Sequence, residues 1–260
     1  MSTQPTVLIT GASSGIGATY AERFAQRGHD LVLVARDEQR LQSLAARLRE
    51  QFAVTVDVLV ADLNKAEALG TVEARLRDDA SIGVLINNAG LGQSGGFLAQ
   101  NAESLERLIG VNITAVTRLA AAIAPRLAEA GNGAIVNIGS VVGLAPELGM
   151  TVYGATKAFV QFLSQGLALE LGPKGVYVQA VLPAATRTEI WARSGLDINT
   201  LPEVMEVEDL VDAALVGYDR REPITIPPLA HGERWAALDG ARQMLMGDLR
   251  QAEVASRYRA

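Results

Sequence analysis

Short runs of β-branched and apolar residues alternate with longer helical patterns along most of the chain. TVLIT at 6–10 leads into a helical pattern through about Gly28, and LVLVA at 31–35 into a charged one. VTVDVLV at 54–60 precedes a helix through about Arg77, and IGVLIN at 82–87 precedes a long one over about 102–130. AIVNIG at 134–139 is followed by a helix over about 152–171, and then VYVQAVL at 176–182. Strands that alternate with helices predict a parallel sheet built from right-handed βαβ units. The strand runs read as apolar on both faces, as they are when helices cover both sides of a sheet.

Beyond Pro183 the pattern loosens. Residues 184–206 read as a mobile loop with short helical pieces, 208–219 as a helix, and PITIP at 223–227 as a last strand bounded by prolines. From about Gly232 to Tyr258 the chain again reads as helical. No linker or low-complexity segment divides it, so one domain is expected over 1–260, with a helical tail over about 228–260.

Composition narrows the function classes. With 260 residues, 49% hydrophobic and 20% charged, the chain has ample material for a core. The net charge is -6 and no basic run appears, which argues against a nucleic-acid or anionic-membrane surface. No apolar stretch reads as long enough to span a membrane, and no signal peptide is read ahead of Thr6, so a cytoplasmic protein is expected. There is no cysteine, which removes disulfides, thiolate metal sites and a Cys nucleophile. His29 and His231 are the only imidazoles, too few for a His-built metal site.

Two local patterns carry chemistry. The first strand runs through Thr10-Gly11-Ala12-Ser13-Ser14-Gly15-Ile16-Gly17 straight into a helix. Glycines there allow a tight turn and close approach of a pyrophosphate, while the helix N-terminus offers N–H groups and a positive dipole end. Tyr153 and Lys157 are one helical turn apart, so an ammonium and a phenol share a face. A fixed cation favours the phenolate, which would make Tyr153 a general acid/base. A solvated helix face carries the same pair, so these two residues alone do not decide.

Taken in order, the motifs resemble those of the classical short-chain dehydrogenase/reductase family over about residues 6–226. Thr10 to Gly17 is similar to that family's cofactor loop, Asp62 in VADL to its adenine-contacting acid, and Asn87-Asn88-Ala89-Gly90 to its turn after the fourth strand. Asn112, Ser140, Tyr153 and Lys157 match its catalytic tetrad, with the usual spacing from Ser140 to Tyr153. Departures are Ala184 after Pro183, Thr186 in place of a branched aliphatic residue, and PPLAHGERW with a helical tail in place of a glycine-rich ending.

The resemblance implies an α/β, Rossmann-type, doubly wound, mostly parallel seven-stranded sheet with helices on both faces. It implies a dinucleotide held by Gly11, Ser13, Ser14, Gly15, Ile16 and Gly17, by Asp62 and Leu63, and by Asn88, Ala89 and Gly90. Tyr153, Lys157, Pro183, Ala184, Thr186 and Thr188 complete the set, with Thr188 where the family binds the carboxamide. It further implies hydride delivery to a carbonyl carbon with Tyr153 as proton donor and Ser140 bonded to the same oxygen. Lys157 would lower the Tyr153 pKa and bind the nicotinamide ribose, and Asn112 would hold a water linking Lys157 to solvent. Where NAD-binding members carry an acid at the end of the second strand, this chain has Ala35, followed by Arg36. A guanidinium there suits a 2′-phosphate, so NADP(H) is expected. Asp37 could oppose this, but reads more simply as the cap of the next helix. A surface arginine in that helix would have the same sequence.

The substrate pocket is expected around Leu91, Gln93, Val141, Val142, Leu148, Ala185, Ile190 and Trp191. Most are apolar, which favours an apolar ketone or aldehyde, or its alcohol. An acyl-thioester ketoreductase and a hydroxysteroid dehydrogenase are the alternatives within the class, and a non-catalytic NADP(H)-sensing protein lies outside it. Apolar stripes at Leu105/Leu108/Ile109/Ile113/Val116 and Phe159/Phe162/Leu163/Leu167 suit either packing on the sheet or a homodimer or homotetramer interface.

Overall fold

The computed structural model describes residues 4–93, 95–194 and 197–259, with Arg193 described by its backbone alone. The chain divides into two compact units, Met1–Pro227 and Pro228–Ala260.

The first unit is built on strands β1 (Thr6–Thr10), β2 (Leu31–Ala35), β3 (Val56–Val60), β4 (Ile82–Asn87), β5 (Ala134–Ile138), β6 (Tyr177–Val181) and β7 (Ile224–Thr225). They form one sheet of seven strands in the order β3-β2-β1-β4-β5-β6-β7. Every pairing is parallel. The order reverses between β1 and β4, and ligands of such sheets bind in the crevice outside the carboxyl ends at that reversal.

Helices α1 (Gly15–Gln26), α2 (Glu38–Phe52), α3 (Ala66–Asp78), α4 (Ala102–Ile109), α5 (Val116–Ala130) and α6 (Thr151–Leu171) connect the strands. A short α7 (Ile190–Arg193) and α8 (Val207–Asp219) lie between β6 and β7. Successive side chains of a strand point to opposite faces, and β1 shows the consequence. Val7 and Ile9 join a core layer with Tyr20, Phe24, Leu41 and Leu215. Leu8 joins the opposite layer with Leu69, Leu76, Leu119 and Ile123. Asp37 caps α2 by accepting from Arg40 N at 3.0 Å, as its sequence position predicts.

The structure corrects three expectations. β3 is not buried on both faces: it is the sheet's edge, and Val60 is 46% exposed. The helix expected over 102–130 is interrupted, because Gly110–Ala115 winds as a π-helical segment between α4 and α5. The continuous helical stretch Ala102–Ala130 is also long and apolar enough to cross a membrane, with mean hydropathy 1.5, contrary to the reading of the sequence. Half of that stretch is buried within the fold, where Leu119, Ile123 and Leu127 pack against the sheet, as in a core helix.

The second unit contains α9 (Gly232–Asp248) and a single 3₁₀ turn at Ser256–Tyr258, so the helix expected through 258 stops at Asp248. No residue of α9 is buried, and Leu238, Met244, Leu245 and Met246 are exposed.

Candidate active site

The loops after β1 and β4 are laced together at the strand-order reversal. Thr10 Oγ1 accepts from Asn88 N and Ala89 N, both at 3.0 Å. Asn88 Nδ2 donates back to Thr10 O at 2.9 Å and Gly11 O at 3.2 Å. This closeness excludes side chains. A Cβ on Gly11 would lie 2.8 Å from Asn88 Nδ2, and one on Gly17 would lie 2.5 Å from the same atom. Gly11 also sits at φ +66°, a region that L side chains avoid.

Gly15 then opens α1 behind an extended Ser14 that makes no side-chain cap bond, and no acid lies in the first turn. The helix start therefore keeps its positive end for a ligand. Together with the missing Cβ atoms, this cradle fits the pyrophosphate of a dinucleotide. Ser13, Ser14 and Ile16 are half-buried around it, and Arg36 is exposed at the end of β2. Asp62 accepts from Asn64 N at 3.1 Å. Leu63 is buried and its side chain belongs to a sheet-face layer.

The structure gathers the four tetrad positions. Asn112 lies in the π-helical segment and is 1% exposed. Its Oδ1 accepts from Leu91 N at 2.9 Å, and its Nδ2 donates to Leu91 O at 3.0 Å and Thr156 Oγ1 at 3.1 Å. Thr156 Oγ1 in turn donates to Tyr153 O at 2.7 Å. Asn112 thus clamps the turn after β4 to α6. Lys157 Nζ donates to Ile138 O at 2.9 Å and lies 5.7 Å from the centre of the Tyr153 ring. Ser140 Oγ donates to Pro183 O at 3.2 Å, accepts from Val142 N, and shares a hydrogen bond with the Tyr153 side chain.

The electrostatics reverse an expectation. Burial pushes the Tyr153 phenol up to about 12, partly offset by its bond with Ser140. Burial also lowers the Lys157 ammonium to about 8. Taking each group out of water disfavours its charged form, and here that effect exceeds the attraction that the spacing of Tyr153 and Lys157 suggests.

Sequence reading missed three residues of this site. A Cβ on Gly143 would lie 2.6 Å from Ala158 N, and one on Gly154 would lie 3.1 Å from Val142 O. These two glycines let the turn after Ser140 (3₁₀ helix Val141–Leu144) sit directly on α6. Thr156 is the third. A Gly or Thr inside a helix carries no signal of this kind by itself.

On the substrate side, Val141 and Val142 lie in that turn, and Leu148 is 52% exposed in a further one. Gln93 Nε2 donates to Gln100 Oε1 at 2.8 Å. Thr186 is buried, bonds to Ala184 O and bridges to Met205, while Ala185 O accepts from Met205 N. Thr188 packs against Gly15, Ile190 against Gly92, and Trp191 Nε1 donates to Thr186 O at 2.7 Å. Pro183 is buried, and its carbonyl also accepts from Val141 N at 2.9 Å.

The fold and this arrangement belong to one family: a short chain dehydrogenase profile matches residues 5–199, and the chain is a member of that family. It is similar in structure to a short-chain dehydrogenase from Sphingobium yanoikuyae in complex with NADPH. The two are 72% identical, with a TM-score of 0.97 over 98% of this chain and 100% of that one. It is also similar to the bulky-bulky ketone specific alcohol dehydrogenase from Comamonas testosteroni, at 67% identity and TM-score 0.92 over 98% and 99% of the two chains. A very-long-chain 3-oxoacyl-CoA reductase-A of Danio rerio is 34% identical over 187 residues, which cover 70% of this chain and 58% of that protein. The chain spans about three fifths of the length of curated relatives that it matches.

Removing the Asn112 amide should leave the part-buried Leu91 N–H and C=O without their side-chain bonds and take from Thr156 Oγ1 the bond that it accepts. Asn112→Ala is expected to destabilise the fold by about 1–3 kcal/mol, measured as a shift of the urea midpoint with an unchanged slope.

Proposed function

We propose that the protein is an NADP(H)-dependent oxidoreductase that interconverts a bulky, mainly apolar ketone or aldehyde and its alcohol. The observation that carries this reading is the convergence of Tyr153, Ser140 and Lys157 beside a dinucleotide cradle in a chain 72% identical to an NADPH-bound dehydrogenase. The likeness to a bulky-bulky ketone specific enzyme supports the substrate class. Reduction of a 3-oxoacyl thioester is the second reading, and it rests on the curated relatives.

When bound, the nicotinamide would supply a hydride to the carbonyl carbon. Gly11, Gly15 and Gly17 would admit its pyrophosphate to the start of α1, and Arg36 would hold the 2′-phosphate. Tyr153 gives its phenolic proton to the carbonyl oxygen. With the phenol near 12 it stays protonated across the neutral range, which suits it as an acid. Ser140 turns its hydroxyl from Pro183 O to the same oxygen. A donor aimed at developing charge contributes roughly 3–4 kcal/mol. Lys157, held by Ile138 O, places its ammonium beside the phenol and eases proton departure.

The test is the rate of ketone reduction against pH, with Tyr153→Phe as control. The mutant is expected to lose about two to four orders of magnitude while still binding NADPH. In the wild type, Lys157 is charged below its pKa, so the rate should be flat at low pH and fall as pH rises through about 8. A rate that climbs through that range would remove Lys157 from this role. 3-Oxoacyl thioesters included as substrates separate the two readings.

Arg36→Ala probes cofactor choice. Losing charge-assisted bonds worth roughly 1.5–3 kcal/mol is expected to weaken NADPH binding about 10- to 100-fold and leave NADH unchanged. Equal losses for both would move the phosphate contact elsewhere.

A homo-oligomer belongs to the same proposal. Leu108 and Val116 pack inward, whereas Ile109, Phe159 and Phe162 stay exposed on α4 and α6, Phe162 at 77%. Such a patch suits a second copy of the chain. Light scattering should give a dimer or tetramer mass; a monomer overturns the proposal.

A further inference from the structure

We infer that Arg40 and Glu189 form a charged strap that holds the substrate loop across the cofactor crevice and slows cofactor release. The inference rests on the NADP(H) reading above.

Arg40 belongs to the first turn of α2, in the segment that follows β2. Glu189 belongs to the segment that follows β6 and immediately precedes α7. Between β2 and β6 in the sheet lie β1, β4 and β5. Their carboxyl ends carry the Gly11–Gly17 cradle, the Asn88–Gly90 turn and Ser140. A bond from Arg40 to Glu189 therefore has to cross the crevice where the dinucleotide lies.

That bond is well formed. Arg40 Nη1 lies 2.8 Å from both Oε1 and Oε2 of Glu189. Arg40 Nε is 3.4 Å from Asp37 Oδ2, and the Arg40 backbone N–H is fixed by the Asp37 cap. The guanidinium thus leaves from a fixed turn of α2 and is oriented by carboxylates on two sides. A groove of about 640 Å³ lies alongside, lined by Ser13, Asp37, Gln39 and Arg40 among others.

The neighbours of Glu189 tie the same segment down on both sides of the crevice. Thr188 rests on Gly15 of the cradle. Beyond Glu189, Ile190 and Ser194 pack on Gly92 so closely that a Cβ there would lie 2.6 Å from Ser194 Oγ. Trp191 Nε1 bonds back to Thr186 O. Residues 188–194 therefore bridge the crevice. Their contacts to Gly15 and Gly92 are made by uncharged side chains, and the Arg40–Glu189 pair adds a charged contact from the loop to the cofactor side. Arg187 is engaged separately by Glu206 at 2.8 Å. The pair is about half exposed on each partner, 47% and 44%, so its effect is modest and screened by salt.

Arg40 and Glu189 are positioning residues, and release of NADPH reads them. The experiment is stopped-flow chase of NADPH by excess NADP+, followed by nicotinamide fluorescence, in wild type, Glu189→Gln, Arg40→Met and the double variant. Each single change is expected to speed release about two- to fivefold, the size of one exposed pair. The double variant should release no faster than the singles, and the rise of the rate with salt should be steeper in the wild type than in the variants. Effects that add, or an unchanged Glu189→Gln, overturn the strap. Slower release in Glu189→Gln also overturns it, since Glu189 would then merely draw Arg40 away from the 2′-phosphate. Amide exchange over residues 186–194 in cofactor-free protein reads the strap independently of cofactor binding. It should be faster in Glu189→Gln, and equal exchange would count against the strap even if NADPH failed to bind and the NADP(H) reading fell.

Discussion

The site depends on how closely the ends of β1 and β4 approach each other. Thr10 and Asn88 exchange bonds across that junction, and the absence of Cβ atoms at Gly11 and Gly17 makes the approach possible. The strand-order reversal, where sheets of this kind open a crevice, falls at this junction. Asn112 extends the lacing by fixing the turn that continues from Asn88 and joining it, through Thr156, to the helix that carries Tyr153 and Lys157. Two sets of hydrogen bonds, joined by the turn between Asn88 and Leu91, thus connect the glycine loop to the helix that carries Tyr153.

Desolvation sets the chemistry at that end. Tyr153 and Lys157 are both pushed towards neutrality by burial. A buried ammonium is stabilised by whatever polar group it can reach, and here that is a strand-end carbonyl, Ile138 O. The site holds a neutral acid and a weakly held cation, an arrangement poised to respond when charge arrives nearby. In a low-dielectric place each charge counts for more than it would in water.

Much of this was legible in the chain. The apolar runs placed all seven strands to within about two residues at either end, because a strand covered by helices on both faces leaves an uninterrupted apolar run. β3 failed that rule because an edge strand is covered less well, whatever its composition. The tetrad residues were found from order and spacing, and the structure brings them together. The pKa of Tyr153 was not legible, since spacing reports a neighbour and not the depth of burial. Nor was the π-helical segment at Gly110–Ala115, where the slip in hydrogen bonding leaves no mark on residue type. The Arg40–Glu189 contact joins residues 149 positions apart, and no local pattern announces it. Gly143 and Gly154 look like ordinary interruptions until the turn that they admit is seen.

The π-helical segment has a further consequence. One residue inserted into an α-helix advances the phase of everything downstream by about 100°, one residue's share of a 3.6-residue turn. The buried positions nonetheless run on across it, from Leu108 through Val111, Ala115, Leu119 and Ile123. The segment thus lets α5 keep its buried face on the sheet while Asn112 stays on the Leu91 turn, and deleting one residue from it would turn one of the two away. In design terms, the most regular helix available to this segment is the wrong one: local order is given up for the aim of a single amide.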